Sequence, residues 1–160
     1  VQPSTGANDL ILYGFYFHEL LKPELKLFSS LVHVHKGWNP LGEKFGDYTS
    51  LGLFVNKVFR KKLGVTLQCK FENIERMKYN EDAYLMGAFL YDVEATGSEK
   101  IFLVPQLSYG FLKGKLFYYI SSEFPLYQRL NKAQVASQTM VTTGLSWRFF
   151  ANKPFTKKES

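Results

Sequence analysis

Five charged residues recur at positions where their neighbours would turn them to one side of an extended chain: Lys70, Glu72, Lys115, Glu123 and Arg148. Charges withdrawn from bulk water must be paired or kept hydrated, so such a face lines a wet passage or locks into ion pairs. Its chemistry is selection of solutes by width and charge, with no bond made or broken. The three histidines, His18, His33 and His35, suggest a second chemistry. His33 and His35 fall on the same face of a strand, so two imidazoles could meet one transition-metal ion. Only His18, on the adjacent strand, offers itself as a third ligand, and we expect no metal. A hydrolase would need a nucleophile and a base near one rim, and no spacing singles out Ser29, Ser30 or the histidines for those roles. The expectation is a protein that is not an enzyme, with no catalytic residue and no cofactor.

The elements that must carry these residues are read from period-two alternation. Leu63, Val65, Leu67, Cys69 and Phe71 alternate with Gly64, Thr66, Gln68, Lys70 and Glu72. A helix would scatter both sets around its circumference. Val141, Thr143, Leu145, Trp147 and Phe149 alternate in the same way with Thr142, Gly144, Ser146 and Arg148. Leu51, Leu53 and Val55 alternate with Gly52, Phe54 and Asn56, and Leu116, Tyr118, Ile120 and Phe124 with Lys115, Phe117, Tyr119, Ser121 and Glu123. Weaker alternation runs through Leu10–Leu20, Leu25–His35 and Ile101–Phe111. That makes seven strand candidates of roughly ten residues, longer than the roughly 5–6 usual in soluble sheets. Short links (Leu21–Glu24, Arg60–Lys62, Leu112–Gly114) alternate with long ones (Gly37–Thr49, Met77–Glu99, Leu126–Ala136), as in barrels with short periplasmic turns and long extracellular loops. An odd count predicts an odd number of further strands upstream, since bacterial barrels are usually even. A rival count takes Ala83–Tyr91 as an eighth strand and closes a small barrel.

Composition agrees with this reading. The chain has 160 residues, which suits one domain. It has no apolar run of about 18 residues, so no spanning helix is expected. Aromatic residues make up 17% of the chain, enough to supply the interfacial belts of a membrane barrel. The net charge of +6 is dispersed apart from Arg60-Lys61-Lys62 and Lys157-Lys158, so no nucleic-acid partner is expected. Cys69 is the lone cysteine and reads as an inert thiol on an apolar or buried face. The chain starts Val1-Gln2-Pro3 and reads as a mature product or an excised piece. Residues 1–150 are assigned to the barrel domain, lacking upstream strands, and 151–160 to a polar tail.

Thr142-Thr143-Gly144-Leu145-Ser146-Trp147-Arg148-Phe149 resembles the C-terminal assembly signal of outer-membrane barrels, with Gly144, Trp147 and Phe149 as its marks. Recognition of such a signal is strand addition at the last edge. This sequence departs from the pattern in carrying eleven residues after Phe149. A longer resemblance rests on Thr5-Gly6-Ala7-Asn8-Asp9, Phe45-Gly46-Asp47, Val104-Pro105-Gln106-Leu107-Ser108-Tyr109, Phe124-Pro125-Leu126-Tyr127-Gln128, and Asn131 with Gln134. Their order resembles the C-terminal portion of the phenol-degradation-pathway outer-membrane proteins and their transporter relatives. The resemblance implies a longer barrel in the bacterial outer membrane of a Gram-negative cell, passing small and often hydrophobic molecules, with no catalytic residues to carry over.

The expected fold is therefore all-β, an antiparallel transmembrane β-barrel with seven or eight strands in this chain: seven as part of a larger barrel, or eight closing a small one. The expected activity is porin-like passage or binding of small solutes. Expected partners are membrane lipids, the barrel assembly machinery, and other protein chains at the first-strand edge. Two alternatives carry different signatures. A structural, partner-binding barrel subunit would use the open first edge. A soluble lipocalin-like binder would turn its apolar side chains inward.

Overall fold

The alternation in the sequence becomes one continuous run of antiparallel hairpins. A computed structural model describes residues 6–21, 25–60, 62–80, 92–112 and 115–149. The elements are β1 (Leu10–Leu21), β2 (Leu25–His35), β3 (Glu43–Lys44), β4 (Tyr48–Phe59), β5 (Leu63–Ile74), β6 (Lys78–Tyr79), β7 (Ser98–Phe111), β8 (Leu116–Leu130) and β9 (Met140–Trp147), with a 3-10 turn at Val93–Ala95. No α-helix occurs among the described residues. Seven strands form one sheet in the order β1-β2-β4-β5-β7-β8-β9, and β3 pairs with β6 in a separate small sheet. All seven strands read from the sequence are present. Ala83–Tyr91, the rival eighth strand, and the tail 151–160 lie outside the described residues.

The long links are shorter than the sequence suggested, because the strands run further. Leu126–Ala136 was expected to be a link, yet β8 continues to Leu130. The reason is a bulge. Ile101 faces Tyr127 while Phe102 faces Pro125, so Leu126 is the extra residue and the alternation changes phase there. Likewise Tyr48 and Thr49 belong to β4, and Ser98 and Glu99 to β7.

Directly opposed residues share a face of the sheet, so the register sorts the side chains. Leu51, Phe71 and Ile101 fall on one face, and Gly52, Lys70 and Phe102 on the other. The apolar face is the exposed one: Leu53 is 53% accessible and Leu67 47%. The polar face is the shielded one, although the sheet is a single layer. On the polar face rings lie over two glycines, which lets them cover the backbone closely. Phe117 lies against Gly110, and a Cβ on Gly144 would stand 2.6 Å from the Tyr119 ring. Among the described residues Phe102, 3% exposed, is the only buried large apolar side chain. The described residues therefore form no ordinary hydrophobic core.

The short links lie at one end of the sheet. Arg60 and Leu112 adopt positive φ of 47° and 49° there, closing turns in which Lys62 N donates to Phe59 O and Lys115 N to Leu112 O. The long links at the other end are tied to one another. β3 and β6 join the first to the second, and Asn131 and Gln134 donate to the carbonyls of Thr96 and Gly97. Glu75 N donates to Asp47 O at 2.9 Å, and Gly46 makes that approach possible, because a Cβ there would collide with the Glu75 carbonyl oxygen. The obstacle is backbone, so no rotamer change relieves it. Gly46→Ala is expected to lower stability by about 1–3 kcal/mol in equilibrium urea unfolding. A change within about 0.5 kcal/mol, the ordinary range for a surface substitution, would mean that the two links need not touch.

Candidate functional site

The shielded face holds a compact ionic cluster. Lys70 on β5 lies between Gly52 of β4 and Phe102 of β7. Its ammonium passes over the Phe102 ring, 4.6 Å from the centroid, and reaches both carboxylate oxygens of Glu123 on β8 at 2.9 Å. It also lies 3.2 Å from Glu72, which accepts a hydrogen bond from the Tyr48 hydroxyl at 3.1 Å. One cation thus meets two carboxylates, and the cluster carries a formal charge of −1. The Lys70, Glu72 and Glu123 side chains are only 19–20% exposed, so their mutual attraction is screened less than at a free surface. With Tyr48 and Phe102 the cluster draws on four consecutive strands of the sheet, β4, β5, β7 and β8.

The rest of this face is graded. Toward the long links, Lys100 donates to Ser137 Oγ, and Gln128 both donates to Ser137 O and accepts from Ser137 N. These bonds fold the segment 131–139 against the polar side. Toward the short links, Asn56 donates to Thr66 Oγ1 at 2.8 Å. On the β1–β4 side, Phe28 stacks on Phe54 at 4.5 Å and tilts against Phe15 at 6.0 Å. The face therefore offers an aromatic row beside a charged cluster, a lining that can meet a solute with an apolar and a polar part.

Of the five charged residues picked out by alternation, the structure brings Lys70, Glu72 and Glu123 together. Lys115 lies exposed at the short-link end, where its carbonyl accepts from Arg148 N. Arg148 is also exposed there, stacked 4.7 Å over Phe117. Gly144, beneath Tyr119, lies on the polar face of β9. Trp147 and Phe149, stacked at 5.8 Å, stand exposed on the apolar side. Tyr48, Phe102 and Lys100 were missed as members of the polar face. Alternation alone could have placed Tyr48, which has the same parity as Gly52.

A second cluster sits at the long-link rim. His35 Nδ1 is 2.7 Å from Asp47 Oδ2, and His33 Nδ1 is 2.9 Å from Thr49 Oγ1. Asp47 Oδ1 accepts from Lys36 N at 2.8 Å and lies 3.5 Å from Lys44 Nζ. Burial pushes the Asp47 carboxyl up, but the Lys36 amide, His35 and Lys44 outweigh it and hold the pKa below the ordinary value. His18, weighed as a third ligand for the histidine pair, faces Leu27, whereas His33 faces Leu12. Six residues along a strand amount to roughly 20 Å, so His18 is remote and Asp47 takes the third place.

Comparison with protein-family models, with curated proteins and with solved structures finds no match to the chain.

A double-mutant cycle tests the cohesion of the ionic cluster. Lys70→Met with Glu123→Gln is expected to show a coupling of about 1–3 kcal/mol in equilibrium unfolding, as for hydrogen bonds between charged groups shielded from water. The exposed Glu19–Lys26 pair, 3.8 Å apart, should show no more than about 1 kcal/mol. Equal couplings would mean that the cluster is open to water.

Proposed function

We propose that the chain is part of an outer-membrane β-barrel that passes or binds small solutes. The observation that carries this reading is the inverted sorting of its seven-stranded sheet, apolar side chains outward and ion pairs on the shielded face. A soluble lipocalin-like binder requires the opposite arrangement. Twelve residues, the length of β4 and β5, span roughly 40 Å. Tilted by about 40°, they exceed the roughly 25 Å apolar band of such barrels. Exposed aromatics also gather on the apolar face near the short links: Phe59, Tyr109, Phe111, Tyr118, Trp147 and Phe149. Nearer mid-strand the exposed residues are aliphatic, with Leu53, Val55, Val65, Leu67 and Leu107. An aromatic girdle beside an aliphatic band suits a headgroup region above hydrocarbon.

The site proposed to act on the solute is the Lys70–Glu72–Glu123 cluster with its neighbouring rings. Its net negative charge favours cations in a hydrated passage. The family resemblance drawn from the motifs points the same way. A second reading, a structural or partner-binding barrel subunit, is favoured by the edges. Among the described residues no pairing joins β1 to β9, and both run from the long-link end to the short-link end. Closing an antiparallel barrel from this sheet takes an odd number of additional strands.

Two measurements test the membrane environment. Cys69 is exposed on the apolar face. In native membranes it should resist a water-soluble maleimide and react after unfolding, because the reactive thiolate does not form in hydrocarbon. Leu67→Arg should cost about 2–4 kcal/mol in lipid vesicles. Rapid labelling of folded protein, or a cost near zero, would favour water at this face. Planar-bilayer conductance then separates the two functional readings. The pore reading expects discrete channels whose cation preference falls when Glu72 and Glu123 are both changed to Gln. Membrane-inserted protein without conductance or solute binding would support the partner-binding reading.

A further inference from the structure

We propose that His33, His35 and Asp47 form a binding site for one divalent transition-metal ion of the zinc class at the long-link rim. One ligand atom from each of the three residues lies within 4.8 Å of the other two. Donors around a tetrahedral zinc ion, each about 2.1 Å from it, stand about 3.4 Å apart, so modest side-chain rotation closes the set. The backbone supports this placement. His33 and His35 point the same way from one strand, β2, which is paired on both sides. Asp47 ends the link that leads into β4, one pair beyond the Val34–Tyr48 rung. Two imidazoles from β2 and a carboxylate from the residue just before β4 leave a fourth position open to water, as in zinc sites that accept an exogenous ligand.

The surrounding hydrogen bonds fit this role. Asp47 Oδ1 is taken by the Lys36 amide at 2.8 Å, with Lys44 Nζ at 3.5 Å, which leaves Oδ2 as the oxygen directed at the histidines. With Nδ1 of His33 donating to Thr49 Oγ1, 2.9 Å away, Nε2 would offer its lone pair to the ion, the partition expected of a supported ligand histidine. The ion would replace the proton shared between His35 Nδ1 and Asp47 Oδ2, which lie 2.7 Å apart. Imidazole and carboxylate donors without a thiolate suit zinc, nickel or copper rather than calcium or magnesium, which prefer all-oxygen cages. The His35 side chain is 54% exposed, so an ion reaches the site from solvent. By the register His33, opposite Thr49, continues the row of Leu31 and Leu51, so the site lies on the apolar side at its long-link rim, and the inference does not depend on whether the sheet lines a pore.

The test is Zn2+ titration of the whole purified protein after treatment with a chelator, followed by calorimetry. One ion per chain is expected, with affinity lowered at least about tenfold by His35→Ala or Asp47→Asn. His18→Gln, remote from the cluster, should leave the affinity unchanged. Because Asp47 also holds the rim together, a second measurement uses the unaltered protein. Substoichiometric Co2+ should broaden the imidazole proton resonances of His33 and His35 while His18 stays sharp. Zn2+ binding no tighter than in a His33→Gln/His35→Gln double variant, or equal broadening of all three histidines, would overturn the proposal.

Discussion

The backbone ladder is the constraint on which everything else here depends. A single-layer sheet has no second layer to bury its side chains against, so the hydrogen bonds between neighbouring strands carry the organisation that a core supplies elsewhere. Seven strands in simple sequential order satisfy those bonds between the two edges with only hairpin connections. The ladder also sets the register, and in a sheet of period two the register decides the face of every side chain. A slip of one residue between β4 and β5 would turn Lys70 and Glu72 outward and bring Leu67 and Phe71 among the charges.

Within that frame the ionic cluster and the aromatic row divide the shielded face between them. The ion pairs do not stabilise the sheet as a core would, since desolvating three charges offsets much of their attraction. What they contribute is placement. Lys70 reaches across β7 to Glu123 on β8, and Tyr48 reaches Glu72 from β4, so the cluster ties strands that are not all neighbours. The bulge at Leu126 serves the same face, because it changes the phase of β8 and turns Gln128 inward to hold Ser137. The proposed passage of solutes and the anchoring of the segment 131–139 thus draw on one set of polar side chains.

The rim is organised differently. Its links are joined by backbone contacts, by the β3–β6 pair and by side chains that cap carbonyls, with Asp47 as a focal point for His35, Lys36 and Lys44. Several motifs that stood out in the sequence lie here. Gly46 provides the close approach to Glu75, and Asn131 and Gln134 cap the backbone at Thr96 and Gly97. Their distinctiveness is accounted for by fixed loop geometry alone, whatever family the resemblance points to.

The sequence by itself determined where the seven strands of the sheet lie, which residues share a face in β4, β5 and β9, and which links are short. Those properties are local: alternation is written in consecutive residues, and a turn needs only a few of them. The sequence did not disclose that Leu126 is a bulge, that Tyr48 and Phe102 join Lys70, that Lys115 and Arg148 stand apart at the turns, or that Asp47 rather than His18 meets the histidine pair. Each of these depends on the register between strands distant in sequence. Only pairing in three dimensions sets that register, because the period of two is the same along every strand and carries no mark of which rung lies opposite which.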